Sequence, residues 1–204
     1  MLKIQLIRHG KTYGNSLGRY IGTTNEHLLA EESERLLSVH TDPVQVVFVS
    51  PMLRCKETAE ILFPGLVPVS VDDLRECDFG DFENKNYQEL SGNPMYQKWI
   101  DSDGTIGFPG GETQGEFQTR CLKGFDEVLT LCAEQELESI ALVVHGGTIM
   151  SIMEMYGIPS AGYFEWQVKN GEGYKVRMQP DLWSLGVKEL IVTEKIEVGK
   201  IDIK

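Results

Sequence analysis

The chain has 204 residues, 41% apolar and 25% charged, an ordinary globular composition at a size that buries a core without metal or disulfide staples. Its formal net charge of −12 opposes nucleic acid and anionic membrane as partners, so an anionic ligand needs a local cationic cluster working against the overall field. The four cysteines, Cys55, Cys77, Cys121 and Cys132, form no Cys-x-x-Cys pair and have no histidines at ligand spacing, which argues for free thiols in a cytoplasmic protein and against structural zinc. Met1-Leu2-Lys3 passes straight into a short strand, so no signal peptide is expected, and no apolar run approaches the ~20 residues of a membrane helix.

Leu2, Ile4, Leu6 and Ile7 predict a buried strand that stops at Arg8-His9-Gly10, where glycine allows a sharp turn after the histidine. Arg next to His makes an anion site: a guanidinium forks onto phosphate oxygens while the imidazole beside it can attack phosphorus. A glycine- and asparagine-rich loop follows from Tyr13 to Asn25, then a predicted helix over 28–40. Asp42-Pro43 marks a turn, and Val44 to Val49 reads as a buried strand. Ser50 as N-cap and Pro51 at the first helical position predict a helix start, which places Arg54 near helix-end amides that already favour anions.

A short strand over 67–71 leads to Glu76, a carboxyl flanked by Cys77, Phe79 and Phe82; desolvation there keeps it protonated, as a general acid requires. Residues 83–111 read as an insertion that either caps a pocket with aromatic groups (Tyr87, Tyr96, Trp99, Phe108) or forms a satellite core. Asp101-x-Asp103 is a turn, because the glycine after it falls too early for a calcium loop. A helix over 113–136 and a strand over 140–144 follow, and His145 stands at that strand's end as His9 does at the first. Gly146-Gly147 lets the backbone approach a ligand, before a helix over 148–156. Strands are predicted over 163–169, 173–178 and 189–198, with no function assigned beyond Pro159. Alternating strands and helices imply a three-layer α/β/α fold on a mostly parallel sheet, with ligands beyond the strand carboxyl ends, where His9, Arg54 and His145 all fall.

Four stretches in order, Arg8-His9-Gly10-x-Thr12, Ser50 to Ala59, Leu74 to Gly80 and Val143 to Thr148, together resemble the histidine phosphatase superfamily, whose other branch is the cofactor-dependent phosphoglycerate mutases. The resemblance runs from residue 4 to about residue 150 and implies a single phosphoglycerate mutase-like domain over 1–204. It also places Asn15 and Arg19 on the substrate side of the pocket. Helix 28–40 departs from the family pattern at Leu29, Glu32 and Arg35, a scaffold segment that leaves the chemistry untouched.

The implied chemistry is monoester hydrolysis through a phosphohistidine on His9, whose other ring nitrogen is held by an acceptor that fixes the tautomer. Arg8, Arg54 and His145 bind the non-bridging oxygens beside Gly146, and Glu76 protonates the leaving group and then activates water. No metal or cofactor is called for, since the arginines and His145 supply the positive charge. The expected partner is a small phosphate ester, with α-ribazole-5′-phosphate and sugar phosphates both open; a homodimer is also left open. A phosphoglycerate mutase needs a second cationic pocket, and between Cys77 and Gly111 the cations are Lys85 and Lys98 alone. A catalytically silent phosphate binder is the other alternative, although it should have lost part of the set. Gly10-Lys11-Thr12 is no P-loop, because Gln5 stands where that motif needs glycine.

Overall fold

A computed structural model describes residues 1–102 and 104–199 of the chain. Asp103, half of the predicted Asp101-x-Asp103 turn, lies outside the described residues. The strands are β1 (Leu2–Arg8), β2 (Val46–Val49), β3 (Val69–Ser70), β4 (Ser139–Val144), β5 (Gly157–Ile158), β6 (Gly173–Met178) and β7 (Leu190–Ile196). They form one sheet in the order β3-β2-β4-β1-β6-β7-β5. The β3-β2-β4-β1 half is parallel throughout; β6 runs antiparallel to both β1 and β7, and β5 parallel to β7. The helices are α1 (Tyr13–Ser16), α2 (Glu32–Leu36), α3 (Leu53–Leu62), α4 (Pro94–Asp101), α5 (Gln114–Glu134), α6 (Gly146–Tyr156) and α7 (Pro180–Ser184).

Alternation along the central strands divides the apolar side chains between two cores. Leu2, Ile4 and Leu6 of β1, with Ile140, Leu142 and Val144 of β4, face the layer of α5 and α6. Ile7, Val47, Val49, Ala141 and Val143 face α2 and α3 on the other side. Each fully buried Leu, Ile, Val or Phe is worth about 1.5–3 kcal/mol, so a one-residue register slip in β1 or β4 exchanges both cores at once. Helix α5 sits firmly because Phe117, Cys121, Phe125, Val128 and Cys132 recur every three or four residues along one stripe. A Thr113–Glu116 capping box fixes where it begins.

Where distant groups claim the backbone, the elements differ from those the local pattern predicts. The predicted helix 28–40 shrinks to Glu32–Leu36: Leu28 N–H donates to Glu57 Oε2 and Leu29 N–H to the Lys11 carbonyl, leaving no helical ladder there. The helix after β2 begins at Leu53 with Met52 as N-cap, not at Ser50-Pro51. The predicted strand 67–71 keeps only Val69–Ser70. The predicted strand 163–169 is instead a 3-10 turn over Tyr163–Trp166, started by the Gly162 N–H donating to Glu165 Oε2 and anchored by buried Trp166. Gly146 and Gly147 are not loop residues; they form the first turn of α6, with His145 as its N-cap.

Candidate active site

Strands β1 and β4 are parallel neighbours with Arg8 opposite Val144, so the residues that follow, His9 and His145, leave the sheet side by side. Their ring centroids are 5.1 Å apart, edge to face. Strand β2 flanks β4 on its other side and delivers Ser50 and α3, which carries Arg54, to the same edge. The convergence thus follows from three adjacent carboxyl ends.

His9 is 3% exposed, and its Nδ1–H donates to the Gly10 carbonyl at 2.6 Å, which leaves the Nε2 lone pair free. The turn holding that carbonyl is fixed twice over. Gly10 N–H donates to Thr58 Oγ1 at 2.9 Å, and Asn170 Nδ2 donates to the His9 carbonyl at 3.0 Å. Burial first, then Arg54 and Arg8, push the His9 imidazole well below its ordinary value, so it is neutral and nucleophilic. His145, fully buried, has Nε2 2.7 Å from Ser50 Oγ. Ser50, expected as a helix cap, is used here instead. Burial and the neighbouring Arg54, His9 and Arg8 push His145 down as well. As a neutral imidazole it adds no standing positive charge, unlike the expectation from sequence; a phosphate ester arriving as its monoanion would bring the proton.

The standing charge comes from two arginines. Arg8 Nη1 donates to the Val168 carbonyl at 2.8 Å. Arg54, 0% exposed, donates to the carbonyls of Thr24 at 2.8 Å and Gly22 at 2.9 Å. Among the described residues the Nε–H groups of both arginines are buried without a protein partner, unspent donors of the kind an anion satisfies. Arg54 also fastens the 21–24 loop. Replacing it with methionine strands those carbonyls and is expected to cost about 3 kcal/mol, a drop in Tm of roughly 6–12 °C by differential scanning calorimetry. An unchanged Tm would mean the loop holds itself.

Glu76 reaches the site from the side of α6. Its Oε1 accepts from the Cys77 N–H at 3.0 Å, and a Cβ added to Gly147 would lie 2.7 Å from that same oxygen. A Cβ on Gly146 would lie 3.4 Å from Arg8 Nε. The glycine pair admits a carboxyl and a guanidinium, where sequence suggested only close approach of a ligand. Gly147→Ala is expected to displace the Glu76 carboxyl and slow alkyl-ester hydrolysis about 10–100-fold, with kcat rather than KM carrying the loss; wild-type kcat would refute this. Burial raises the Glu76 carboxyl above its ordinary value, against the pull of the Cys77 amide, Arg54 and Arg8.

The two shifts give a pH dependence. His9 stays neutral as pH falls below the usual histidine range, and Glu76 stays protonated above the usual carboxylate range. Single-turnover phosphorylation by an alkyl monoester is therefore expected to be fastest at mildly acidic pH and to fall as pH rises through the elevated Glu76 value. Stopped-flow rates across pH 4–9 check it, and an alkaline limb that survives in Glu76→Gln would assign the fall to another group.

These groups meet a cavity of about 620 Å³ lined in part by Arg8, Glu76, Gly146 and Gly147. His9, Arg54 and His145 are almost without exposure and are not among the residues that line it. The remaining wall is largely aromatic. Leu90 and Tyr96 of the 83–111 segment form a small satellite core with Phe82 just before it, and Trp99 and Phe108 of that segment border the cavity. Tyr163, Phe164 and Gln167 also line it, in a stretch to which sequence assigned no function. Nothing in their spacing signalled this; their 3-10 turn simply abuts α6.

Asn15 and Arg19 do not line the cavity. Asn15 Oδ1 accepts from Thr12 N–H and Asn170 Nδ2 within the α1 cap, and Arg19 is drawn away by Glu89 at 2.6 Å and Asn84 at 3.3 Å, fastening the loop to the 83–111 segment. Among the described residues no group of three or more His, Cys, Asp or Glu side chains is placed to hold a metal ion, and no helix is long and apolar enough to cross a membrane.

A doubly wound sheet with paired histidines and arginines at adjacent strand ends defines a phosphoryl-binding α/β protein. The chain belongs to the histidine phosphatase superfamily, branch 1, whose family model matches residues 4–189. It is 28% identical over 180 residues to the adenosylcobalamin/alpha-ribazole phosphatase of Escherichia coli K12, covering 83% of this chain and 87% of that one. It is 27% identical over 200 residues to a probable phosphoglycerate mutase of Yersinia pestis, covering 90% and 88%. The crystal structure of a putative alpha-ribazole-5′-P phosphatase from Escherichia coli shares the fold, with a TM-score of 0.79 over 98% of this chain and 99% of that one at 22% identity.

Proposed function

We propose that the chain hydrolyses phosphate monoesters of small metabolites through a phosphohistidine on His9. The observation that carries this reading is the His9 ring, tied by Nδ1 to the Gly10 carbonyl with Nε2 unspent, at a ring-centroid distance of 5.1 Å from His145. In the first step Nε2 attacks phosphorus, the ester P–O bond breaks, and the Glu76 carboxyl gives its proton to the departing alkoxide. Arg8 and Arg54, with His145 sharing a proton brought by the substrate, bind the three non-bridging oxygens. In the second, the Glu76 carboxylate takes a proton from water, the water oxygen bonds to phosphorus, and the P–N bond breaks to release phosphate.

Mixing enzyme with excess p-nitrophenyl phosphate tests the reading. The expected result is a burst of p-nitrophenol no larger than the enzyme concentration, with an acid-labile, alkali-stable phosphoryl group on the His9 peptide. Hydrolysis without such an adduct would point to direct attack by water.

The aromatic wall supports a substrate with a flat, apolar organic half, and the Escherichia coli relative is named for a ribazole ester. Arg8 is the one cation among the residues lining the cavity, which weighs against the bisphosphate of a mutase despite the Yersinia pestis relative, and the aromatic wall favours a flat heterocycle over a polyhydroxy sugar. Rates with α-ribazole-5′-phosphate, a hexose phosphate and 2,3-bisphosphoglycerate-supported 3-phosphoglycerate separate the three.

A further inference from the structure

Glu76 stands in a stretch with little regular structure. One 3-10 turn ends at Leu74 and the next begins at Gly80. A general acid must hold its carboxyl within about 0.5 Å of the productive position, which such backbone does not do unaided. An ion pair grips this stretch from outside. Arg120 Nε and Nη2 both donate to the Glu112 carboxylate at 2.7 Å, a two-pronged fork. The same guanidinium reaches across to the main chain: Nη1 donates to the carbonyls of Asp73 at 3.0 Å and Arg75 at 2.9 Å, and Nη2 to that of Glu76 at 3.2 Å. Glu112 completes the grip from the other side. Its Oε2 accepts from the Asp78 N–H at 3.0 Å, and its own N–H donates to the Asp78 carbonyl at 2.9 Å.

We infer that the Arg120–Glu112 pair is a positioning clamp for Glu76, setting where its carboxyl meets the leaving-group oxygen. The inference rests on the general-acid reading of Glu76. Four of the gripped backbone groups, the carbonyls of residues 75, 76 and 78 and the amide of residue 78, lie within two positions of Glu76. The guanidinium has five N–H groups and makes five hydrogen bonds, so none remains for a substrate anion. Its charge is answered at once by Glu112, whereas Arg8 and Arg54 keep unspent donors. Three cations lie near one another, and two are built to bind while the third is built to hold. The base of the clamp is rigid, because Arg120 rides on α5 beside buried Phe117 and Cys121, with its guanidinium 5.3 Å from the centre of the Phe117 ring that also lines the cavity.

The test compares Arg120→Met, Arg120→Lys and Glu112→Gln in the full chain, reading single-turnover phosphorylation by propyl phosphate and by p-nitrophenyl phosphate. A misplaced acid is expected to slow the propyl ester about 100-fold and the nitrophenyl ester, whose leaving group needs no proton, no more than about threefold, with KM for the nitrophenyl ester unchanged. Lysine keeps the charge without the fork and should rescue only in part. Adding Arg120→Met to Glu76→Gln should cost nothing further with the propyl ester, since the clamp acts through that carboxyl. Equal losses with the two esters, or losses that multiply with those of Glu76→Gln, overturn the clamp. If Arg120→Met does not fold, Glu112→Gln, nearly isosteric, decides by the same comparison. When Glu76→Gln alone shows the ester preference and the clamp variants do not, only this inference falls. When Glu76→Gln shows none, the general-acid reading falls and the clamp with it.

Discussion

His9→Ala is expected to lower monoester turnover by at least ~10⁴-fold, as loss of a covalent nucleophile does in other hydrolases, and to abolish the phosphoryl adduct entirely. No neighbour can replace it. The Nε2 of His145 is engaged with Ser50 Oγ, and burial pushes the Cys55 thiol up to about 12, so no thiolate is present near neutral pH. The fold should survive, because the His9 ring has one hydrogen bond, to the adjacent residue, while the turn itself is held by Thr58 and Asn170 through main-chain atoms. Wild-type Tm with no adduct on acid quench is the expected pair of results. A variant that keeps more than a few per cent of activity would transfer the nucleophile's role elsewhere.

The second large effect is expected from Glu76→Gln, a loss of ~10²–10⁴ in phosphorylation by an alkyl ester. Glutamine fills the same volume and can still accept from the Cys77 amide, so the change removes a proton donor and little else. Nitrophenolate leaves without protonation, and the same step with p-nitrophenyl phosphate should be nearly unimpaired. Steady-state rates would blur the contrast, because the carboxylate is also asked to activate water in the second half-reaction; rapid-quench measurement of the first step isolates it. Equal slowing of both esters in that step would leave Glu76 an electrostatic part and remove its proton-donating one.

Much of this site is legible in the sequence because it depends on short-range pattern. The apolar alternation of Leu2 to Ile7 and Ile140 to Val144 marks two strands, and residues at the ends of neighbouring parallel strands must meet, which brings His9 to His145. The strand predicted over 173–178 coincides with β6. Where a segment's shape is decided by a partner far along the chain, local pattern fails. Leu28 and Leu29 have the apolar character of a helix but lose their amides to Glu57 and Lys11, and Arg19 looks like a substrate cation but is claimed by Glu89, 70 positions away. Arg120, Glu112, Asn170 and Tyr163 carried no signal, since each acts across gaps that no spacing rule spans.

The near-complete enclosure of His9, Arg54 and His145, while Arg8 and Glu76 line the cavity, bears on the order of events. On the proposed route the departing alcohol, next to Glu76, takes up the cavity from which water would reach a phosphoryl group on His9. The alcohol therefore leaves before water enters, and inorganic phosphate leaves last. A small alcohol that follows the same path can stand in for water, so such an enzyme hands phosphate to methanol more readily than to any acceptor too bulky to share the passage.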